Sequence, residues 1–249
     1  MAGHSKFKNI MHRKGAQDKK RAKIFSRLGR EISVAVKEGG PDPDTNIRLR
    51  SAVGSAKSLN MPKDNIERAI KKGEGNDPDN NYEEVRYEGY GPDGVAIIVE
   101  ALTNNKNRTA AEVRSTFSKY GGNLGETGSV SFGFKRLGSI TLKKNEIDEE
   151  ELFDFIVENG SEDYELNEDE YNIYCDQKIL HQLNQKIIDK FGPTNFTGLI
   201  WKSENEISVS KDKAETLFKL LNILEENEDV QAVSSNFDVS DDVLESLAV

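Results

Sequence analysis

The sequence predicts an α+β protein: an N-terminal three-helix domain followed by two α/β, ferredoxin-like sandwich domains, one inserted in the other. Three observations predict it. Before residue 75, apolar residues recur with helical period in three short stretches separated by glycine- and proline-containing turns. Past residue 82 the period drops to two, in strand-sized runs alternating with helical ones. Residues 138–202 then read strand, helix, strand, strand, helix, strand, the βαββαβ order of the split ferredoxin-like unit.

Each element follows from its residues. Positions 1–16 have no apolar period and read as an arm. From Asp18 to Glu38, Ile24, Phe25, Leu28, Ile32, Ala35 and Val36 share a stripe, and Gly39-Gly40 stops the helix. Pro41-Asp42-Pro43-Asp44 is a turn with a candidate N-cap. A second helix over 45–59 turns Leu49, Ala52, Val53, Ala56 and Leu59 inward. Asn60-Met61-Pro62 opens a third, over 62–72, with Pro62 at its first position and Gly73 at its end. Positions 74–81 are polar, rich in turn formers, and read as a linker. Strands over Glu84–Tyr90 and Val95–Thr103 meet at Gly91-Pro92-Asp93-Gly94, a helix covers Asn107–Tyr120, and the alternation of Ser129–Phe134 predicts a third strand. After the βαββαβ unit, Glu206–Val209, Lys213–Glu226 and Val230–Phe237 read βαβ and return to complete the sheet begun at residue 84. The expected domains are therefore 1–75, then 82–136 with 204–240, and 137–203 as the insertion.

Composition narrows the class. With 249 residues, 35% hydrophobic and 31% charged, the chain is long enough for two or three domains with real cores. Its longest apolar run, Val95–Val99, is far short of the roughly 20 residues a membrane helix needs. The first residues are charged without an apolar core, so no secretory signal is expected. A single cysteine, Cys175, excludes an internal disulfide framework and fits a reducing compartment. A cytoplasmic protein is expected.

The net charge of −10 conceals a segregation. Residues 1–75 hold 18 Lys and Arg against 8 Asp and Glu, and the remainder holds 16 against 36. The head is thus +10 and the body −20, the asymmetry of a chain that presents one end to a polyanion. The candidate nucleic-acid contacts are Lys6, Lys8, His12, Arg13, Lys14, Lys19, Lys20, Arg21, Lys23, Arg27 and Arg30, with Lys106 and Arg108 as a secondary contact at a helix start.

Other motifs point away from chemistry. Gly89-Tyr90-Gly91-Pro92-Asp93-Gly94 spells the dinucleotide fingerprint, but a strand follows where the pyrophosphate needs a helix N-terminus. The glycine-rich loop Gly121–Gly128 lacks the lysine and helix of a P-loop; it reads as turn geometry, with contact to a ligand or partner as the alternative. His4, His12 and His181 have no metal-ligand spacing, and Cys175 reads as core. Asp148–Glu151 sits at a helix start, where the dipole favours acids, and Glu168–Glu170 at a hairpin tip. No catalytic residue, metal or cofactor is expected, and no membrane or small-molecule partner.

The stretches MAGHSKFKNIMHRKGAQDKKRAKIFSRLGREI, NMPKDNIERAIKKG, YEGYGPDGVAIIVEALTNNKNRTAAEVRSTFSKYGG and NLGETGSVSFGF together resemble the YebC/PmpR family of bacterial regulators. A mitochondrial relative is a translational activator of cytochrome oxidase. The resemblance is dense through residue 135 and looser beyond about 140. Phe7 stands where the family pattern has Trp, Met11 where Lys is common and Ile47 where Pro is usual. The resemblance implies three domains with the third inserted, a cytoplasmic location and DNA binding in transcriptional regulation. A competing family role is on the ribosome, easing translation through difficult sequences such as proline runs. The sequence shows no helix-turn-helix with base-reading residues at the start of a recognition helix. Three readings follow: a DNA-binding transcriptional regulator, a ribosome-associated factor holding ribosomal RNA and, distantly, a small-molecule-binding or catalytic protein.

Overall fold

The computed structural model describes residues 17–75, 81–144, 147–167, 169–240 and Val243. Its helices are α1 (Gln17–Gly39), α2 (Ile47–Ser58), α3 (Lys63–Glu74), α4 (Lys106–Lys119), α5 (Glu149–Glu158), α6 (Leu180–Phe191) and α7 (Lys211–Glu226). Its strands are β1 (Glu83–Tyr90), β2 (Ala96–Thr103), β3 (Asn123–Leu124), β4 (Phe134–Lys143), β5 (Ser161–Leu166), β6 (Glu170–Cys175), β7 (Phe196–Ser203), β8 (Ile207–Ser208), β9 (Val230–Ser235) and β10 (Phe237–Asp238). The protein is α+β, as the alternation of periods predicts.

The head is built on α1, which buries Ile32, Ala35 and Val36 against Leu49, Ala52 and Ala56 of α2 and Ile66 and Ala69 of α3. The helices α1 and α3 touch backbone to backbone. A Cβ on Gly73 would lie 2.5 Å from the Ser33 carbonyl oxygen, so only glycine allows the approach. The Ser33 hydroxyl donates to the Ala69 carbonyl at 2.8 Å and fixes the pair. The N-cap of α2 is Asn46, beyond the Pro41–Asp44 turn where the sequence suggests one. Its Oδ1 accepts from the Leu49 N–H at 3.0 Å, while its Nδ2 donates to the carbonyls of Ala35 and Gly40 at 2.6 and 2.8 Å. An aspartate could cap but could not donate, so this buried amide serves two helix ends at once. Pro62 likewise stands at the N-cap of α3, one position earlier than expected.

The first sheet has the order β3-β1-β2-β9. Strands β1 and β2 form an antiparallel hairpin from Glu83↔Thr103 to Tyr90↔Ala96, so the glycine-rich string at residues 89–94 is a turn between strands. Helices α4 and α7 cover one face, with Ile97, Val99, Val113, Phe117, Leu217, Leu221 and Leu224 in the core. Each such fully buried side chain contributes roughly 1.5–3 kcal/mol. Strand β9 returns from the far end of the chain to pair with β2, but β8 does not join that sheet as the terminal βαβ pattern suggests: it pairs in parallel with β10 as a separate two-stranded sheet.

The second sheet has the order β5-β6-β4-β7, all antiparallel. With α5 and α6 it is the ferredoxin-like βαββαβ arrangement, and it lies in sequence between β3 and β8. Its core holds Ile140, Leu142, Leu152, Ile156, Tyr171, Ile173, Leu183 and Ile187. Cys175 is buried there, and burial pushes its thiol up to about 11, which removes it as a nucleophile at neutral pH.

The predicted strand over Ser129–Phe134 is a turn instead, with one 3-10 turn at Ser131–Gly133 and β4 starting at Phe134. Glu88 of β1 is the cause. Its buried carboxylate accepts from the backbone N–H groups of Val130 and Ser131 at 3.0 and 2.9 Å, donors a strand ladder would have used. Burial raises its pKa, but those N–H groups, that of Gly128 and the charge of Arg86 hold it below the ordinary carboxylate value. Beside it, Ala96, Ile98, Val130 and Phe134 pack with Trp201 between the two sheets, and Arg86 and Arg136 lie 5.0 and 5.1 Å from the indole centroid.

Candidate nucleic-acid interface

The basic arm residues Lys6, Lys8, His12, Arg13 and Lys14 lie outside the described residues, and Lys19 and Lys20 enter only through the helical backbone of α1. The remaining candidates divide by the face they occupy. Lys23, Arg27 and Arg30 are spaced i, i+4, i+7, so they share one stripe of α1, and the buried Val34 continues it. That stripe faces the body.

Arg27 donates from Nη2 to the Glu225 carbonyl at the end of α7. Arg30 Nη1 reaches the carbonyls of Leu102 and Glu228 at 3.2 and 2.8 Å and the Asp229 carboxylate at 2.9 Å. Its guanidinium also lies 5.2 Å from the ring centroid of Tyr82. Lys23 stands near Glu225, Glu226 and Glu228; burial and Arg27 lower its pKa against their pull. Burial likewise lowers the pKa of Arg27.

Asp229 is the hub. Its side chain is only 4% exposed, against 14% for Arg30 and 46% for Arg108. Arg30 reaches one carboxylate oxygen, and the other accepts from Arg108 at 2.6 Å, the Thr109 hydroxyl at 2.7 Å and the Thr103 hydroxyl at 3.0 Å. Burial alone would raise the pKa of this carboxyl. The hydrogen bonds from Arg108, Thr109 and Thr103 outweigh it and hold the group below its ordinary value. Asn105 caps α4 through Arg108 N–H, one position before the helix starts at Lys106, and so aims its first turn at Asp229. Lys106 pairs with Glu83 at 2.5 Å.

Two further contacts hold the head. Arg48 of α2 joins Glu31 and Glu38 of α1 to Glu84 of β1, and these bonds raise its pKa against its burial. Ser51 Oγ lies 3.3 Å from His181 Nδ1 of α6, so α2 also touches the inserted unit. On the other side of the head, Arg21, Lys57, Lys63, Arg68 and Lys71 are exposed. Arg68 and Lys71 lie on the outer face of α3, opposite the buried Ile66 and Ala69.

The glycine-rich loop behaves in the same inward way. Its backbone at Gly128, together with Val130 and Ser131, binds the chain's own Glu88 carboxylate. No group of His, Cys, Asp and Glu among the described residues could hold a metal ion. Nor is any described helix long and apolar enough to cross a membrane.

A basic helical head clasped to an acidic body of two four-stranded sheets and one two-stranded sheet defines a class of multidomain α+β protein. Residues 5–76 match the TACO1/YebC protein N-terminal domain, and residues 82–237 match the TACO1/YebC second and third domain. The chain belongs to the TACO1/YebC family. It is 52% identical over 247 residues, 99% of each chain, to a protein of Zymomonas mobilis named a probable transcriptional regulatory protein. Its fold is similar to the crystal structure of a conserved hypothetical protein from Aquifex aeolicus, with a TM-score of 0.83 and 44% identity over 89% of this chain and 91% of that one.

Proposed function

We propose that the chain is a non-enzymatic, cytoplasmic regulator of gene expression that binds nucleic acid through its head, with DNA as the target in transcriptional control. The observation that carries this reading is the segregated charge, +10 on the head and −20 on the body. The name of the Zymomonas relative supports the regulatory role. The domains are taken as 1–75, 82–136 with 204–240, and 137–203. The arm from Lys6 to Lys14, with Lys19, Lys20, Arg21 and the exposed Arg68 and Lys71, supplies the phosphate contacts. Lys23, Arg27, Arg30 and Arg108 set the angle at which the head is held.

Ribosomal RNA is the second reading, and one observation favours it. Both shorter head helices start in positions unsuited to base reading: Arg48 and Ser51 of α2 are engaged with the body, and α3 opens with Pro62, Lys63 and Asp64. Such a head suits shape and backbone recognition. Sedimentation of the full chain through sucrose gradients, compared with enrichment of promoter DNA after crosslinking, separates the two. Comigration with ribosomes without promoter enrichment would overturn the DNA reading.

A further inference from the structure

Residues 145–177 contain fourteen Asp and Glu and no Lys or Arg, a net −14 out of the body's net −20. The described residues among them include α5, β5 and β6. Helix α5 buries Leu152 and Ile156 but leaves Phe153 and Val157, at i and i+4, 42% and 53% exposed. The Phe153 ring lies 5.5 Å from that of Tyr164 on β5. Leu166, two residues further along that strand and therefore on the same face, is also exposed. Strand β5 is the outer strand of its sheet, so these side chains form one apolar strip along the sheet edge.

Carboxylates surround the strip. Glu150, Asp154, Glu158 and Glu162 are exposed, and Glu149 accepts from the Tyr164 hydroxyl at 3.4 Å. Partial neutralisation comes from outside the segment: Lys190 pairs with Glu151 at 2.9 Å, and Lys202 with Asp163 and Glu165 at 2.7 and 3.0 Å. Phosphate is repelled by this charge, so the strip does not favour a nucleic acid as its occupant. A second copy joined about a two-fold axis would set the same carboxylates against each other. What fits is positive charge around an apolar anchor.

We propose that the α5–β5 strip docks a basic amphipathic protein segment, with Lys or Arg facing Asp154 and Glu158 and apolar side chains seated on Phe153, Val157 and Leu166. A docking amphipathic helix can present its own apolar anchors at i and i+4 to such a strip. Charge complementarity supplies orientation and on-rate, and the apolar strip supplies the seat.

The test uses the full chain and a fluorescein-labelled synthetic helical peptide with leucines at i and i+4 and lysines elsewhere. Phe153→Ser with Val157→Ser should weaken peptide binding about tenfold, as expected for removing a central apolar anchor. Asp154→Lys with Glu158→Lys should do the same. Asp154 and Glu158 are exposed, so their reversal should leave the melting temperature unchanged, while Phe153→Ser with Val157→Ser lowers it modestly through the lost Tyr164 contact; both variants should keep their nucleic-acid affinity, which separates this site from the head. Unchanged peptide affinity in either variant would overturn the proposal. So would equally tight binding of a peptide with serines in place of the leucines. A dimer in sedimentation that Phe153→Ser with Val157→Ser dissociates would assign the strip to a second copy and also overturn it.

Discussion

The cations of α1 and those of α3 are the same residue types on neighbouring helices, yet the structure uses them differently. Lys23, Arg27 and Arg30 face carbonyls and carboxylates at the end of α7, whereas Arg68 and Lys71 face outward. Charge density alone therefore does not separate phosphate ligands from the groups that hold a basic head on an acidic body. Direction does: the Lys23, Arg27 and Arg30 stripe of α1 continues into buried Val34, and Arg68 and Lys71 of α3 lie opposite the buried Ile66 and Ala69. The clasp also answers the electrostatic problem of the chain. A head of +10 and a body of −20 attract, and the structure meets that attraction with a defined hub at Asp229.

The largest expected effect comes from that hub. Asp229→Ala leaves the nearly buried Arg30 without its carboxylate partner and should cost about 3 kcal/mol, the low end for a broken buried pair because Arg30 keeps its carbonyl bonds and Arg108 can turn to solvent. Arg68→Ala on the outward side should change stability by less than about 0.5 kcal/mol. Denaturant midpoints check both; equal losses would erase the distinction between the two helices.

A smaller loss is expected at Asn46, where one amide serves the N-terminus of α2 and the C-terminal turn of α1. Asn46→Ala should cost about 2 kcal/mol, the upper range for an N-cap, because carbonyls are orphaned as well. Asn46→Asp keeps the cap but loses both donated bonds, so it should recover only part. Full recovery in urea titration would show that the α1 carbonyls do not matter.

These two residues mark what was legible in the sequence. Helices, strands and the ferredoxin-like order follow from period and punctuation, because local burial dictates them. The return of β9 to β2 was readable as a pattern, although pairing is a long-range property. The cap at Asn46 was missed because its reason lies across the head, at Ala35 and Gly40. The turn at Ser129–Phe134 reads as a strand in the sequence because its cause is distant: Glu88, 42 residues before Val130, takes its N–H groups. At the candidate site, the cations were legible as a cluster and their partners were not. The i, i+4, i+7 spacing of Lys23, Arg27 and Arg30 was the one available signal of an inward face.

The smallest effect concerns His181. Burial and then Arg50 lower its pKa, and Ser51 accompanies it at the contact with α2. A base with a lowered folded pKa is favoured neutral, so the stability it supports is complete above its unfolded value of about 6.5 and is lost as pH falls through the folded value. His181→Gln should therefore flatten the stability profile below about pH 6.5. An unchanged slope in thermal melts across that window would remove His181 from the contact's energetics.

The division of labour between the two helices is tested most directly by the salt dependence of duplex DNA binding in two full-length double variants. Arg27→Gln with Arg30→Gln removes clasp residues, and Arg68→Gln with Lys71→Gln removes exposed ones. Each lost phosphate contact should make the slope of log K against log salt shallower by about 0.9. The expected result is an unchanged slope in the clasp variant, measured below its lowered melting temperature, and a clearly shallower slope in the exposed variant. A shallower slope in the clasp variant alone would contradict the assignment and return Arg27 and Arg30 to the phosphate contacts.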